Sequence, residues 1–240
     1  MNIWDKFDFK AVSLFTGTPE RNADFKREAD RVGLELALFW SAPDPYDHFI
    51  EARVCHSRMC HDAYLSITLK HLRMVKTAYE LGAEHALFLE NDVRFLKNLD
   101  DLEFAVWSLP SDYDVALFDW CFRNKATAEE IATIVESSRA ARTSGVVWQR
   151  FTDLRSCACY ALSRRGMLRF IIALEAPALG RGKLKICDQH WYDVLKDGTL
   201  KGYCACPCAC VQAVPGGATD YAHMWERYAR AGVRREDYAE

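Results

Sequence analysis

The sequence predicts an α/β protein with a largely parallel sheet flanked by helices, and three observations carry that expectation. Strand-like and helix-like stretches alternate from Ala11 to Phe118, which favours parallel pairs joined by crossover helices. The strand-like stretches are short unbroken apolar runs such as Ala86 to Leu89, as expected of strands covered on both faces. At 240 residues, half of them hydrophobic, the chain can bury a full core. It is read as one domain over 1–240, with the core at about 11–212 and a C-terminal loop and polar helix at 213–240.

Taken in order, Ala11 to Phe15 reads as a strand and Thr16-Gly17-Thr18-Pro19 as a turn. A helix follows from Asn22, with Phe25, Ala29 and Val32 on one face and Gly33 as its stop. Leu34 to Trp40 is a second strand, ended by Ser41-Ala42-Pro43-Asp44-Pro45. Asp47 to Leu81 reads as mostly helical, with a break near His61-Asp62 and a stripe of Leu65, Leu69, Leu72, Val75 and Tyr79. Gly82 closes it before the strand Ala86 to Leu89. A helix from Leu99 ends at Pro110, and Val115 to Phe118 is another buried strand, ending in Asp119-Trp120. Thr127 to Arg142 is a polar amphipathic helix and Ser156 to Leu162 a strand. Arg164-Arg165-Gly166 opens an apolar helix to Leu174. Gly180 to Lys185 is a basic loop, Asp188 to Leu195 a helix carrying Trp191, and Tyr203 to Val211 a strand.

A formal charge of −3 and a pI near 6.2 argue against a nucleic-acid partner. No run approaches the ~18 consecutive apolar residues that span a bilayer, and Met1 to Asp8 has no apolar core of signal-peptide length. The expected location is the cytosol, with peripheral membrane association left open.

The chemistry-bearing stretch is Glu90-Asn91-Asp92, directly after the buried run. Carboxylates there are costly unless a positive group offsets them. Oxygen donors of this kind suit a hard divalent cation such as Mg²⁺ or Mn²⁺, and open α/β sheets bind ligands beyond the carboxyl ends of their strands. An acidic turn in which Asp92 caps the next element is the other reading. Gly17, opening a helix, is either a phosphate loop or an ordinary βα turn.

Four segments, in order, resemble glycosyltransferase family 25, the lipooligosaccharide and collagen galactosyltransferase family. They are Ser13-Leu-Phe-Thr-Gly-Thr-Pro-Glu-Arg21, Leu65-Ser66 through Lys70-His71-Leu72, Leu89-Glu90-Asn91-Asp92-Val93, and Cys159-Tyr160-Ala161-Leu162-Ser163-Arg164-Arg165-Gly166. Ile186-Cys187-Asp188 and Pro207 with Gln212 match in kind. The family commonly has Ser-His where Lys70-His71 stands and Glu-Asp-Asp where Glu90-Asn91-Asp92 stands. The resemblance implies a type-A (Rossmann-like) glycosyltransferase fold and a nucleotide-sugar donor, a UDP-sugar, with galactose the first candidate for the sugar. It also implies a glycan or glycolipid acceptor and a Mn²⁺ or Mg²⁺ ion at Asp92 and Glu90 bridging the diphosphate. Thr16, Gly17, Arg21, His71, Glu90 and Asn91 would line the donor site. Asp188 would be the general base of an inverting transfer, with Asp119 as the competing base or a nucleotide contact.

Each residue also has a plainer role: Asp188 as a helix cap, Arg21 as a surface arginine, His71 as a packed histidine, and Arg181, Lys183 and Lys185 as a solvated charge run. A non-catalytic relative, marked by Lys70 and Asn91, and a nucleotidyltransferase are the rival functions. The ten cysteines are expected to be reduced, buried thiols with no stoichiometric zinc. Cys204, Cys206, Cys208 and Cys210 would share one strand face rather than surround an ion. Cys55-His56 and Cys60-His61 form a second suggestive pair.

Overall fold

The computed structural model describes residues 2–14, 19–40, 62–95, 99–122, 128–141, 145–152, 154–175 and 187–212. The expected features at Phe15 to Thr18, Ser41 to His61, Gly180 to Lys185 and the C-terminal 213–240 lie outside the described residues.

The strands are β1 (Phe9–Ser13), β2 (Leu38–Trp40), β3 (His85–Glu90), β4 (Val93–Phe95), β5 (Val115–Leu117), β6 (Cys121–Phe122), β7 (Val147–Phe151), β8 (Leu154–Arg155), β9 (Cys159–Ser163), β10 (Gly202–Cys206) and β11 (Cys210–Gln212). The helices are α1 (Pro19–Arg31), α2 (Asp62–Glu80), α3 (Leu99–Ser108), α4 (Ala128–Ala141), α5 (Arg164–Glu175) and α6 (Trp191–Leu195), with 3-10 turns at Ile3–Lys6 and Cys187–His190.

Seven strands form one sheet in the order β2-β1-β3-β9-β5-β10-β7. The fold is α/β: β1, β2, β3, β5 and β10 run one way, and β9 and β7 run against them. The antiparallel placement of β9 between β3 and β5 is invisible to hydrophobic periodicity, which reports burial and not direction. β7, an edge strand with the burial pattern of a partly exposed surface, was not expected from its sequence. Its mixed residues Val147-Trp148-Gln149-Arg150-Phe151 lack a clean apolar run.

Alternation along β3 sends successive side chains to opposite faces. Ala86 and Phe88 face α2, α5 and α6, where Met74, Val75, Phe170 and Trp191 are buried. Leu87 and Leu89 face α1 and α3, with Phe25, Ala29, Leu102 and Val106. The predicted α1 face of Phe25, Ala29 and Val32 is buried as expected, and Gly33 ends the helix at φ +64°. The α2 stripe is corrected. Its fully buried side is Ser66, Thr68, Lys70, His71, Met74, Val75 and Ala78, while Leu69, Leu72 and Tyr79 are only partly buried. Polar Lys70 and His71 point inward, so an apolar stripe drawn without them is rotated off the true face.

The expected strand Tyr203 to Val211 is two strands. β10 stops at Cys206, a cis peptide joins it to Pro207, and β11 then pairs antiparallel with β4. That pairing pins the segment that follows the Asp92 turn.

Candidate functional site

The site is built at the carboxyl ends of β1 and β3. These two strands pair in parallel, and β2 lies on the far side of β1. The chain thus moves outward from β1 to β2 and returns across β1 to β3, with α1 and α2 packed on opposite faces. Such a reversal of strand order opens a crevice between neighbouring strand ends.

Two cations reach that crevice. Arg21, in the first turn of α1, is ion-paired with Asp92, whose side chain is almost wholly buried. Lys70, fully buried on α2, donates from Nζ to the Leu14 carbonyl at 2.7 Å, just past the end of β1. Asn91 is also fully buried, and its Nδ2 donates to Asn22 Oδ1 on α1. Asp92 was expected at an open strand end. The structure places it under Arg21, closed from solvent.

Glu90 turns the other way, towards α2. Its Oε1 lies 3.2 Å from His71 Nε2, and His71 Nδ1 lies 2.8 Å from the Tyr160 hydroxyl. All three residues are buried, and Tyr160 stacks on Phe88 and meets Trp191 edge-on. Burial pushes the Tyr160 hydroxyl well above its usual range. It therefore stays protonated and serves as a hydrogen-bond donor or acceptor. The thiol of Cys187 joins His71 and Glu90: one ligand-type atom from each lies within 4.8 Å of the others. Glu90 and Asp92, two residues apart, are thus held by different helices, because β3 ends at Glu90 and the turn at 91–92 breaks the strand alternation.

Asp188 stands on the 3-10 turn beside Cys187. Its Oδ1 is shut off from solvent, without a hydrogen-bond partner among the described residues. Burial pushes its carboxyl up to about 6, nearby Glu90 adds to the rise, and Arg155 and His71 pull against it. Helix α6 has its N-cap at His190 and no side-chain cap bond there. Asp119, two residues past β5, is buried and accepts from Ser156 Oγ at 3.0 Å. Trp191 Nε1 donates to the Ser156 carbonyl at 2.7 Å, which ties α6 to the same segment.

Of the sequence candidates, Arg21, His71, Glu90, Asn91, Asp92 and Asp188 gather near the end of β3, and Asp119 lies at the end of β5. Thr16 and Gly17 fall outside the described residues. Lys70 and Cys187 were not singled out as site residues. A lysine spaced by four from Ser66 and Met74, on a helix face otherwise buried, was the available signal. Among the described residues the cysteines are free thiols. Cys204 and Cys206 share a face with their sulfurs 3.8 Å apart. Cys210 packs in the opposite core, together with Cys159. A shallow cavity of about 350 Å³ beside Tyr79, His85, Arg164 and Arg165 lies at the opposite end of β3.

No family model matches the chain, and no curated protein matches it. Solved structures with a similar layout include A197 from STIV, with 9% identity over 88% of this chain and 96% of that one at a TM-score of 0.41. A mannosyltransferase from Pyrobaculum calidifontis, in complex with GDP-Man and Mn2+, has 13% identity over 90% of this chain at a TM-score of 0.41, and this chain spans 59% of its length. CMP:2-keto-3-deoxy-manno-octonic acid synthetase complexed with CTP has 13% identity over 92% of this chain and 96% of that one at a TM-score of 0.39.

Proposed function

We propose that the protein is a nucleotide-sugar-dependent glycosyltransferase of the type-A kind, moving a sugar from a UDP-sugar, with galactose the first to test, to a hydroxyl of a glycan or glycolipid. The observation that carries this reading is the convergence of Arg21 and Lys70 with Asn91, Asp92 and Glu90 at the crevice between β1 and β3. A crevice of this type is where open α/β sheets hold nucleotides. Two cations beside buried carboxylates suit a diphosphate accompanied by a divalent metal.

In this reading Arg21 and Lys70 meet the diphosphate, and Thr16 and Gly17, outside the described residues, are the further donor contacts expected from the sequence. Asn22 and Asn91 present amides to the nucleoside. Asp92 is the carboxylate for Mn²⁺ or Mg²⁺, an oxygen donor that fits a hard cation, while Glu90, expected as the second, is held by His71 on the α2 side. Bound at Asp92, the ion would neutralise charge on the departing diphosphate. The acceptor oxygen attacks the anomeric carbon, the bond from that carbon to the diphosphate breaks, and the acceptor proton passes to Asp188. A carboxyl raised to about 6 is a better base near neutral pH than an ordinary aspartate. Asp119 is the competing base.

The test is donor turnover across UDP-, GDP- and CMP-sugars and nucleoside triphosphates, with and without Mn²⁺. Release of a nucleoside diphosphate from one sugar donor, dependent on the ion, supports the proposal. Pyrophosphate release from a triphosphate would instead make the protein a nucleotidyltransferase. Donor binding without turnover, with acceptors present, would make it a non-catalytic relative.

A further inference from the structure

The cluster of His71, Glu90 and Cys187 brings nitrogen, oxygen and sulfur donors together, a set that an ion held by carboxylate alone at Asp92 does not need. We propose that these three side chains form a site for a borderline divalent cation, zinc above all, separate from the ion at Asp92.

The first ground is geometric. A tetrahedral zinc bound by nitrogen and oxygen at about 2.0–2.1 Å holds those two atoms about 3.4 Å apart. His71 Nε2 and Glu90 Oε1 are 3.2 Å apart, and Cys187 Sγ completes a set within 4.8 Å. Cys157 is buried nearby and is not one of the three.

The second ground is donor type. Imidazole and thiolate together favour zinc over magnesium, calcium or manganese, which prefer all-oxygen shells. The third is the shell behind the ligands. A metal-bound histidine usually donates its other ring N–H to an oxygen that fixes its tautomer. Tyr160, 2.8 Å from His71 Nδ1 and locked by Phe88 and Trp191, stands where that oxygen is needed. Cys187 is itself oriented by its backbone N–H, which donates to Thr68 Oγ1 at 3.1 Å on α2.

On binding, the S–H bond of the Cys187 thiol breaks, its proton leaves to solvent and a sulfur–metal bond forms. No electron is transferred. Three protein ligands leave the fourth coordination position to a water. The ion would join α2, the end of β3 and the 3-10 turn that carries Asp188. The ion would thereby hold Asp188 in place for whatever chemistry that residue performs.

The experiment strips the purified, reduced protein with a chelator and titrates it with Co²⁺ as an absorbing stand-in, then with Zn²⁺. One cobalt per chain, a near-ultraviolet thiolate-to-cobalt band and displacement by zinc are expected. Cys187→Ser should remove that band and weaken zinc binding at least ~10-fold. Glu90→Gln, which keeps the side-chain size, should weaken it by a similar factor while keeping the band at saturation. Cys204→Ser should change neither. Absence of a thiolate band in the unsubstituted protein overturns the proposal whatever the variants do. So does a band that survives Cys187→Ser or disappears in Cys204→Ser. Donor turnover is a separate readout, so loss of transferase activity alone leaves the zinc result to stand or fall by itself.

Discussion

Asp188 gives the sharpest test of how this site is built, because its carboxylate is held at a cost to the fold. Burial raises the carboxyl from 3.8 to about 6, a rise of roughly two units at ~1.4 kcal/mol each. The native state therefore holds the proton more tightly than the unfolded chain. Below about pH 4 both states are protonated and the residue is neutral in its effect. As pH rises through 6 the native carboxylate ionises in an unfavourable place, and stability falls by an amount on the order of 3 kcal/mol, complete by pH 7–8. Asp188→Asn removes the charge and keeps the shape. Urea unfolding of metal-free protein at pH 4, 5, 6, 7 and 8 should show the variant gaining on the parent as pH rises, by up to ~3 kcal/mol at pH 8 and by little at pH 4. A gap that is constant with pH, or a variant less stable at pH 8, would refute the burial argument. The same substitution should keep UDP-sugar affinity and lose ~10²–10⁴-fold in transfer. More stability with less turnover is the signature of a residue kept for chemistry.

Three further outcomes follow from the geometry. Asp92→Ala should abolish Mn²⁺-dependent turnover, and because Asp92 is buried against Arg21 it should also cost some stability; activity that persists under strong chelation removes the ion from that position. Lys70→Met, which replaces a buried ammonium by an apolar chain of similar length, should leave the protein folded and lower UDP affinity by about tenfold in calorimetry, about 1.4 kcal/mol; unchanged affinity would make Lys70 purely structural. Gly166→Ala should destabilise by at least ~1–3 kcal/mol, since a Cβ there would sit 2.0 Å from the Asp114 carbonyl oxygen; a urea midpoint equal to the parent's would show that the start of α5 does not lie against the Asp114 backbone.

The sequence carried the layers of the fold better than their directions. Ala86 to Leu89 is apolar on both faces because both faces are covered, and that alone marks a central strand. Nothing in Cys159-Tyr160-Ala161-Leu162 says that β9 runs against its neighbours, because direction is set by where the chain comes from and not by which side chains are buried. The acidic turn after β3 was legible as well, since polar groups that end an apolar run need partners. Which partner each would take was not. Glu90, Asn91 and Asp92 are consecutive, yet Glu90 meets α2 while the other two meet α1.

The same reasoning explains why the His71, Glu90 and Cys187 cluster escaped notice while the Cys204 to Cys210 run drew it. Ligand motifs are read by short spacing, and that works when one turn or hairpin supplies neighbouring ligands. Here 19 residues separate His71 from Glu90, and Cys187 comes from beyond β9 and α5. Only the sheet brings them together: β9 pairs with β3 and places Tyr160 opposite Phe88. The 3-10 turn then packs Cys187 against Thr68 of α2. By contrast, the regular cysteine spacing is a product of strand geometry. Alternate residues of β10 face one core, so Cys204 and Cys206 fill it as small apolar side chains. The break at Pro207 sends Cys210 to the other face. A regular spacing within one strand fixes which face its side chains share, whereas a metal needs donors from several directions, and those are set by tertiary packing.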